Sequence, residues 1–251
     1  MEKIPVKSKE EIKAIIEGGK RLSEIKKRLD ESVKVGVNAL EIEELANTLI
    51  KKSGGEPSFM RVSGYHWATC VNVNEGIVHG IPREDIIFHK GDVVSVDVGL
   101  YYKGLNTDTS FSKGLEVNSD TQTFLNVGKF ALDNAITKAV PGGRIYDISK
   151  AIEDTLKDAK LNPVRVLVGH GVGRNLHEYP EIPQFVVMER EKTPEIPVNS
   201  VLAIEVIYTK GSGGIKYGKD RWTILTSDGK ISALYEDTVI VTQGGYLIAT
   251  R

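Results

Sequence analysis

Disulfides are out of reach for this chain. Its 251 residues include one cysteine, Cys70, so no intramolecular bridge can form and a stapled extracellular scaffold is excluded. A charge surplus is also lacking: 33 Lys and Arg stand against 34 Asp and Glu, a net of −1. A general nucleic-acid binder carries a basic excess, so direct nucleic-acid specificity is not expected. Long apolar runs are missing as well. The most apolar one, residues 201–207, contains a glutamate and is far too short to cross a bilayer. The opening Met1-Glu2-Lys3-Ile4-Pro5-Val6-Lys7 has no signal-peptide core, and no Ser/Pro/Gly-rich linker divides the chain. What remains is 40% hydrophobic and 27% charged, the balance of a globular protein with a substantial core. The expectation is one domain over residues 1–251, cytoplasmic and without membrane association.

Helical and strand signals alternate along the chain. Ser8 and Glu11 form a capping box, followed by Ile12, Ile15, Ile16, Gly19, Leu22 and Ile25 at helical spacing. Lys20, Arg21, Lys26, Lys27 and Arg28 read as the solvated side of that helix. Asn38 and Glu41 start a second helix, with Ile42, Leu45, Ala46 and Leu49 on one face and Ser53-Gly54-Gly55 at its end. Residues 71–73, 76–81 and 92–102 are short and β-branched. Val93-Val94-Ser95-Val96-Asp97-Val98, a turn at Lys103-Gly104 and residues 106–112 predict a hairpin. A helix over 120–140 carries Phe124, Val127, Ala131 and Ala135, and another carries Ile145, Ile148, Ile152 and Leu156. Strands are predicted over 164–168, 201–208, 222–226 and 238–242. The order is helix, helix, strands, given twice, which suggests a duplicated α+β architecture although no sequence repeat is visible.

Several carboxylates stand where apolar residues belong. Glu205 lies inside Val201-Leu202-Ala203-Ile204-Glu205-Val206-Ile207-Tyr208, where an unpaired charge is costly unless a cation, a metal or a raised pKa compensates it. An edge strand with Glu205 facing water is the plainer alternative. Asp97 shares a strand face with Val93 and Ser95. Asp108 alone reads as a turn residue, but a hairpin turning at Lys103-Gly104 brings it back opposite Asp97, where two carboxylates repel unless something positive lies between. Glu236 and Asp237 precede a strand and point to opposite faces, so one of them is expected to be solvated. His170, in Gly169-His170-Gly171-Val172-Gly173, follows an apolar strand with room to reach a ligand. A dinucleotide loop at these glycines is excluded, because Asn175-Leu176-His177-Glu178-Tyr179-Pro180 starts no helix.

Together Asp97, Asp108, His170, Glu205 and Glu236 offer four carboxylates and one imidazole. Four negative charges balance two divalent cations, and this oxygen-rich set suits Mn²⁺, Fe²⁺ or Co²⁺ rather than structural Zn²⁺. Two such ions about 3.5–4 Å apart can share a water and supply hydroxide near neutral pH. The chemistry implied is hydrolysis.

At this point the chain resembles the type I methionine aminopeptidases. The likeness runs from about Ile12 to Val241 through Cys70-Val71-Asn72-Val73-Asn74-Glu75, His79-Gly80-Ile81-Pro82, Asp97 and Gly104-Leu105-Asn106-Thr107-Asp108-Thr109. It continues in Gly169-His170-Gly171-Val172-Gly173-Arg174, His177-Glu178, Ile204-Glu205, Trp222 and Tyr235-Glu236-Asp237-Thr238. The resemblance implies an α+β pita-bread fold, a curved antiparallel sheet with flanking helices and internal pseudo-two-fold symmetry. It implies that Asp97, Asp108, His170, Glu205 and Glu236 hold two divalent ions, with Glu236 rather than Asp237 bridging them. The ions would be Co, Mn or Fe(II), and the sequence does not name the physiological metal. A hydroxide bridging the metals would attack the scissile carbonyl with Glu205 as proton shuttle, while His79 and His177 contact the amide and the tetrahedral intermediate. Tyr65, Cys70 and Trp222, with Phe59 and Leu176 nearby, would form the methionine side-chain pocket.

The implied activity is removal of initiator methionine from the N-termini of nascent polypeptides when the second residue is small. The implied enzyme is a monomer working near the ribosome through its own surface, since no Cys/His-rich extension precedes the domain. Departures from the family pattern, Tyr65-His66, Gly99, Leu176 and Glu205-Val206, fall around the pocket and remove no ligand. Two other readings remain at this stage. One is an Xaa-Pro pita-bread peptidase, which the segment from Cys70 to Pro82 and the short N-terminus argue against. The other is a non-catalytic pita-bread binding module, which the intact ligand set argues against.

Overall fold

Two capping boxes set the first two helices. The Ser8 hydroxyl accepts from the Glu11 N–H and the Glu11 carboxylate accepts from the Ser8 N–H, opening α1, Lys9–Ser32. Asn38 and Glu41 repeat the arrangement for α2, Ala39–Lys52. The computed structural model describes residues 3–251; Met1 and Glu2, the start of the N-terminal stretch considered above, lie outside the described residues. After α2 come β1 (Glu56–Pro57), β2 (Thr69–Val73), β3 (Gly76–Val78), β4 (Val93–Tyr102) and β5 (Leu105–Gly114). Helices α3 (Ser119–Ile136) and α4 (Ile145–Asp158) follow, then β6 (Asn162–Pro163), β7 (Val168–Gly171), β8 (Glu178–Pro183) and β9 (Val201–Thr209). The chain closes with β10 (Ile215–Tyr217), β11 (Ile224–Thr226), β12 (Ser232–Thr242) and β13 (Gly245–Ile248).

One antiparallel ten-stranded sheet organises the molecule. Its order is β1-β4-β5-β12-β9-β7-β8, with β2 on β4, β13 on β12 and β6 on β9. A second sheet joins β10, β11 and β3. Leu22, Leu29, Ile42 and Ile50 pack with Val94, Val96 and Val98 over one half of the large sheet. Ala131, Ala135, Ile148 and Ile152 pack with Leu202, Ile204 and Val239 over the other. Each buried aliphatic side chain contributes about 1.5–3 kcal/mol, so both helical pairs are held chiefly by the sheet. Helix pair followed by strands thus occurs twice, as expected. Among the described residues no helix is long and apolar enough to cross a membrane.

Several local expectations are corrected. Helix α3 stops at Ile136 rather than running to residue 140. The Thr137 hydroxyl bonds to the Asn134 carbonyl, and the next N–H groups turn back to Ala135 and Ile136. The strand expected over 164–168 is Val168–Gly171, with His170 inside it. Val166 is 62% exposed because the preceding segment forms a cavity rim instead of pairing in the ladder. Strand β12 begins at Ser232, so Glu236 lies within it rather than before it.

The basic side of α1 is not wholly solvated. Arg21 bonds to the Ser53 carbonyl at 2.8 Å and lies over the Tyr102 ring, while the Lys26 ammonium donates to Asp237 at 2.8 Å. The hairpin register also differs by two residues. Lys103 and Gly104 adopt left-handed conformations in a two-residue turn that pairs Tyr102 with Leu105. Asp97 therefore faces Ser110, and Asp108 faces Gly99.

Candidate metal centre and substrate pocket

That register creates two adjacent rows across the sheet. In the first, Cys70 pairs with Asp97, Asp97 with Ser110, Ser110 with Glu236 and Glu236 with Glu205. In the second, Asp108 exchanges hydrogen bonds with Thr238, Thr238 pairs with Ala203, and Ala203 pairs with His170. Residues two apart on a strand share a face, so all five candidate ligands project from one side of the sheet. Asp108, His170 and Glu236 are the tightest group, presenting ligand atoms within 4.8 Å of one another. Asp97 and Glu205 line the same cavity of about 300 Å³.

The charges in this cavity are uncompensated by the protein. Among the described residues no lysine or arginine lines it. Burial and the charges of Asp108 and Glu205 push Asp97 well above the usual carboxylate range. Burial and Asp108 do the same to Glu205. Glu236 is raised by burial and by Asp108, Asp97 and Glu205. Burial lifts Asp108 to about 7, against the opposing hydrogen bond from the Thr109 N–H. Asp97 Oδ1 and Glu236 Oε1 are buried without a hydrogen-bond partner, an arrangement that is expensive without a cation.

His170 completes the set as a neutral donor. Burial, then the neighbouring His177, pushes its pKa down to about 4. Its Nδ1–H donates to the Gly171 carbonyl at 2.9 Å, leaving the Nε2 lone pair available. Four carboxylate groups and one imidazole with two orphaned oxygens therefore fit divalent cations.

The cavity also gathers the other predicted site residues. Phe59, Tyr65, Cys70, Leu176 and Trp222 line it, together with His79 and His177. Phe59, Tyr65 and Cys70 form a buried cluster against Leu176 and Trp222. Tyr65 meets Trp222 edge-on at 5.1 Å, and its hydroxyl donates to the Thr69 carbonyl at 2.9 Å. His79 holds a positive φ of 57° just after β3, a strained conformation for a non-glycine residue. His177 stands edge-to-face with His170, ring centroids 4.5 Å apart. Burial lowers the pKa of both His79 and His177, and the nearby His177 lowers His79 further. Gly99 has its own explanation. A Cβ there would lie 2.9 Å from the Phe59 ring and 2.8 Å from Ser58 Cβ, so the missing side chain and the bulky neighbour go together.

Neither acid of the Glu236–Asp237 pair is solvated, contrary to expectation. Asp237 is 1% exposed on the opposite face, where Lys26, Thr250 and Arg251 donate to its carboxylate. Further contributors carry little or no local sequence signal. Ser110 sits in the middle of the ligand row with a buried, unpartnered hydroxyl; its matching parity with Asp108 was the available signal. Val62 and the segment Val166-Leu167 add apolar wall. Glu43, buried on α2, accepts from the N–H groups of Ala68 and Thr69 and from the Thr69 hydroxyl, fixing the approach to Cys70. These partners lie 25 and 26 residues away, beyond any local pattern, although Asn47, one turn along the helix, also donates to Glu43 at 2.7 Å.

Comparison with known proteins agrees with this geometry. Residues 13–243 match the model of metallopeptidase family M24. The chain is 35% identical over 246 residues to Methionine aminopeptidase 1 of Bacillus subtilis, covering 98% of both chains. It superposes on the crystal structure of methionine aminopeptidase from Thermotoga maritima with a TM-score of 0.95 at 34% identity, covering 99% of each. A prolidase from Pyrococcus furiosus shares the fold alone, with a TM-score of 0.79 at 22% identity over 98% of this chain and 65% of that one. The expected pita-bread α+β architecture and the resemblance to methionine aminopeptidases are thus borne out, and the chain belongs to metallopeptidase family M24.

Proposed function

We propose that this chain removes N-terminal methionine from nascent polypeptides, with a small second residue preferred. The observation that carries this reading is the pair of ligand rows, which deliver Asp97, Asp108, His170, Glu205 and Glu236 to one cavity beside an aromatic pocket. Those five residues would hold two divalent ions; Mn²⁺, Fe²⁺ and Co²⁺ suit the donor set. When bound, the ions supply Lewis acidity and lower the pKa of water towards neutrality.

The protein's own groups do the rest. Tyr65, Cys70, Trp222, Phe59 and Leu176 enclose the methionine side chain. Glu205, its carboxyl raised by burial and Asp108, takes a proton from the attacking water and returns it to the leaving nitrogen. His79 and His177, held neutral near pH 7 by their lowered pKa values, donate N–H bonds to the developing oxyanion and the leaving amide. On this reading residues 1–251 form one catalytic domain, working as a cytoplasmic monomer near the ribosome. The test is competition between Met-Ala-Ser, Leu-Ala-Ser and Ala-Pro-Ser peptides in the presence of Mn²⁺ or Co²⁺. Release of methionine from the first, with the others resistant, is expected. Preferential cleavage of Ala-Pro-Ser would overturn the proposal in favour of an Xaa-Pro peptidase.

A further inference from the structure

Lys7 is an oddity of the N-terminal segment. It precedes α1, yet its side chain is 1% exposed, and its ammonium donates to Glu178 at 2.6 Å across 171 positions of sequence. A buried lysine needs a strong reason to be there. Its backbone is pinned too, since the Lys7 N–H donates to the Asn199 carbonyl at 2.9 Å. The path of the side chain passes over Gly173, where φ is +145° and a Cβ would lie 2.3 Å from Lys7 Cε. Any other residue at position 173 would displace the lysine.

The acid that Lys7 holds adjoins His177. Glu178 also accepts from the Asn175 N–H at 3.0 Å, and the Asn175 carbonyl in turn accepts from the Gly173 N–H at 3.0 Å. The same short loop is held to the start of α1 by Arg174, whose guanidinium donates to Glu11 at 2.7 Å. Asn106 fixes its base through the Gly173 carbonyl, with donors at 2.6 and 2.9 Å. Residues 173–178 therefore form a strapped loop whose cavity-facing members are Leu176 and His177. The partner of His177, the His170 ring, is separately fixed by its Gly171 bond.

We propose that Lys7 is a positioning residue for His177. Its ammonium sets the place of Glu178, and through it the loop that aims the imidazole into the cavity. This rests on the reading of His177 as a group that meets the substrate amide. A catalytic group displaced by about 1 Å loses on the order of 100-fold in rate.

The experiment is a double-mutant cycle on Met-Ala-Ser, with Lys7→Met made alone and in a His177→Ala background, and metal content and Tm measured for each protein. Lys7→Met is expected to lower kcat by about 10–100-fold with KM and metal content little changed. In the His177→Ala background it is expected to change kcat less than about twofold, because the group it positions is gone. If Lys7→Met fails to fold, Lys7→Met combined with Glu178→Gln removes both charges, while the new amide oxygen can still accept from the Asn175 N–H. The same cycle is then run on that pair. An equal loss in both backgrounds, or no loss in the first, would overturn the proposal. Absence of methionine release by the unmodified protein would instead overturn the activity on which it stands.

Discussion

Gly99 lies directly opposite Asp108 in the β4–β5 hairpin, and the space its side chain would fill is taken by the Phe59 ring. Position 99, on the strand that carries Asp97, and position 59, in the pocket wall, are thus one steric unit. Gly99→Thr forces the ring and Ser58 aside. It is expected to cost about 1–3 kcal/mol of stability, the usual range for overpacking, and to raise KM for methionine peptides severalfold. Adding Phe59→Ala removes the ring contact but not the one with Ser58, so the two losses are expected to be less than additive. Thermal unfolding and KM of the single and double variants check this, and an undisturbed single variant would contradict it.

Asp237 is tied down from both ends of the chain, by Lys26 on α1 and by Arg251. Lys26→Met leaves a carboxylate that is 2% exposed with one of its two cations. The expected loss is about 1–3 kcal/mol, below the full cost of breaking a buried pair because Arg251 remains. Metal content should be unchanged, since Asp237 faces away from the cavity. Chemical denaturation and metal analysis of the purified variant read both quantities.

The carboxylate cluster makes metal-free protein less stable as pH rises towards neutrality. Asp108 rises from 3.8 unfolded to about 7 folded, so its ionisation in the folded state is resisted and it favours the fold most while protonated there. That relative advantage disappears as pH climbs through about 7. His170 acts in the opposite sense. Its pKa falls from 6.5 to about 4, so protonation favours the unfolded chain as pH falls from 6.5 through 4. Between about pH 6.5 and 7 His170 no longer offsets Asp108, and metal-stripped protein should lose Tm across that window. Bound divalent ions favour the ionised carboxylates and should flatten or reverse the slope. Scanning calorimetry of stripped and loaded protein across that window measures it; identical slopes would contradict the assignment.

Glu43 secures the pocket wall from outside. Glu43→Gln retains one acceptor oxygen but turns an amide towards the Ala68 and Thr69 N–H groups. A loss of about 2–4 kcal/mol is expected from donors left unsatisfied, with a higher KM for methionine peptides because Cys70 and Tyr65 follow that segment. A variant with unchanged unfolding midpoint and KM would rule out this anchoring role.

Sequence signals are legible where the physics is local. Both capping boxes, the apolar faces of the helices and the strand-borne carboxylates Asp97 and Glu205 follow from spacing alone. The hairpin shows where register becomes delicate. The turn at Lys103-Gly104 is visible in the sequence, but a shift of two residues separates Asp97 from the position opposite Asp108. Both acids still share a face, so both stay in the candidate set despite the wrong partner. Glu43, Lys7 and the ion pairs of Asp237 have no comparable signal. Their partners lie as far as 26, 171 and 211 residues away, and a lysine before a helix looks the same whether it meets water or a buried glutamate.

Five residues on two sheet rows are expected to hold the two divalent ions that methionine release requires. Calorimetric titration of Mn²⁺ into metal-stripped protein, with methionine release from Met-Ala-Ser followed on the same samples, addresses both halves together. Two ions per chain are expected at saturation, with release that appears on metal loading, and both diminished in Asp108→Asn. Full release from stripped protein, or an Asp108→Asn variant that binds two ions and works normally, would contradict it.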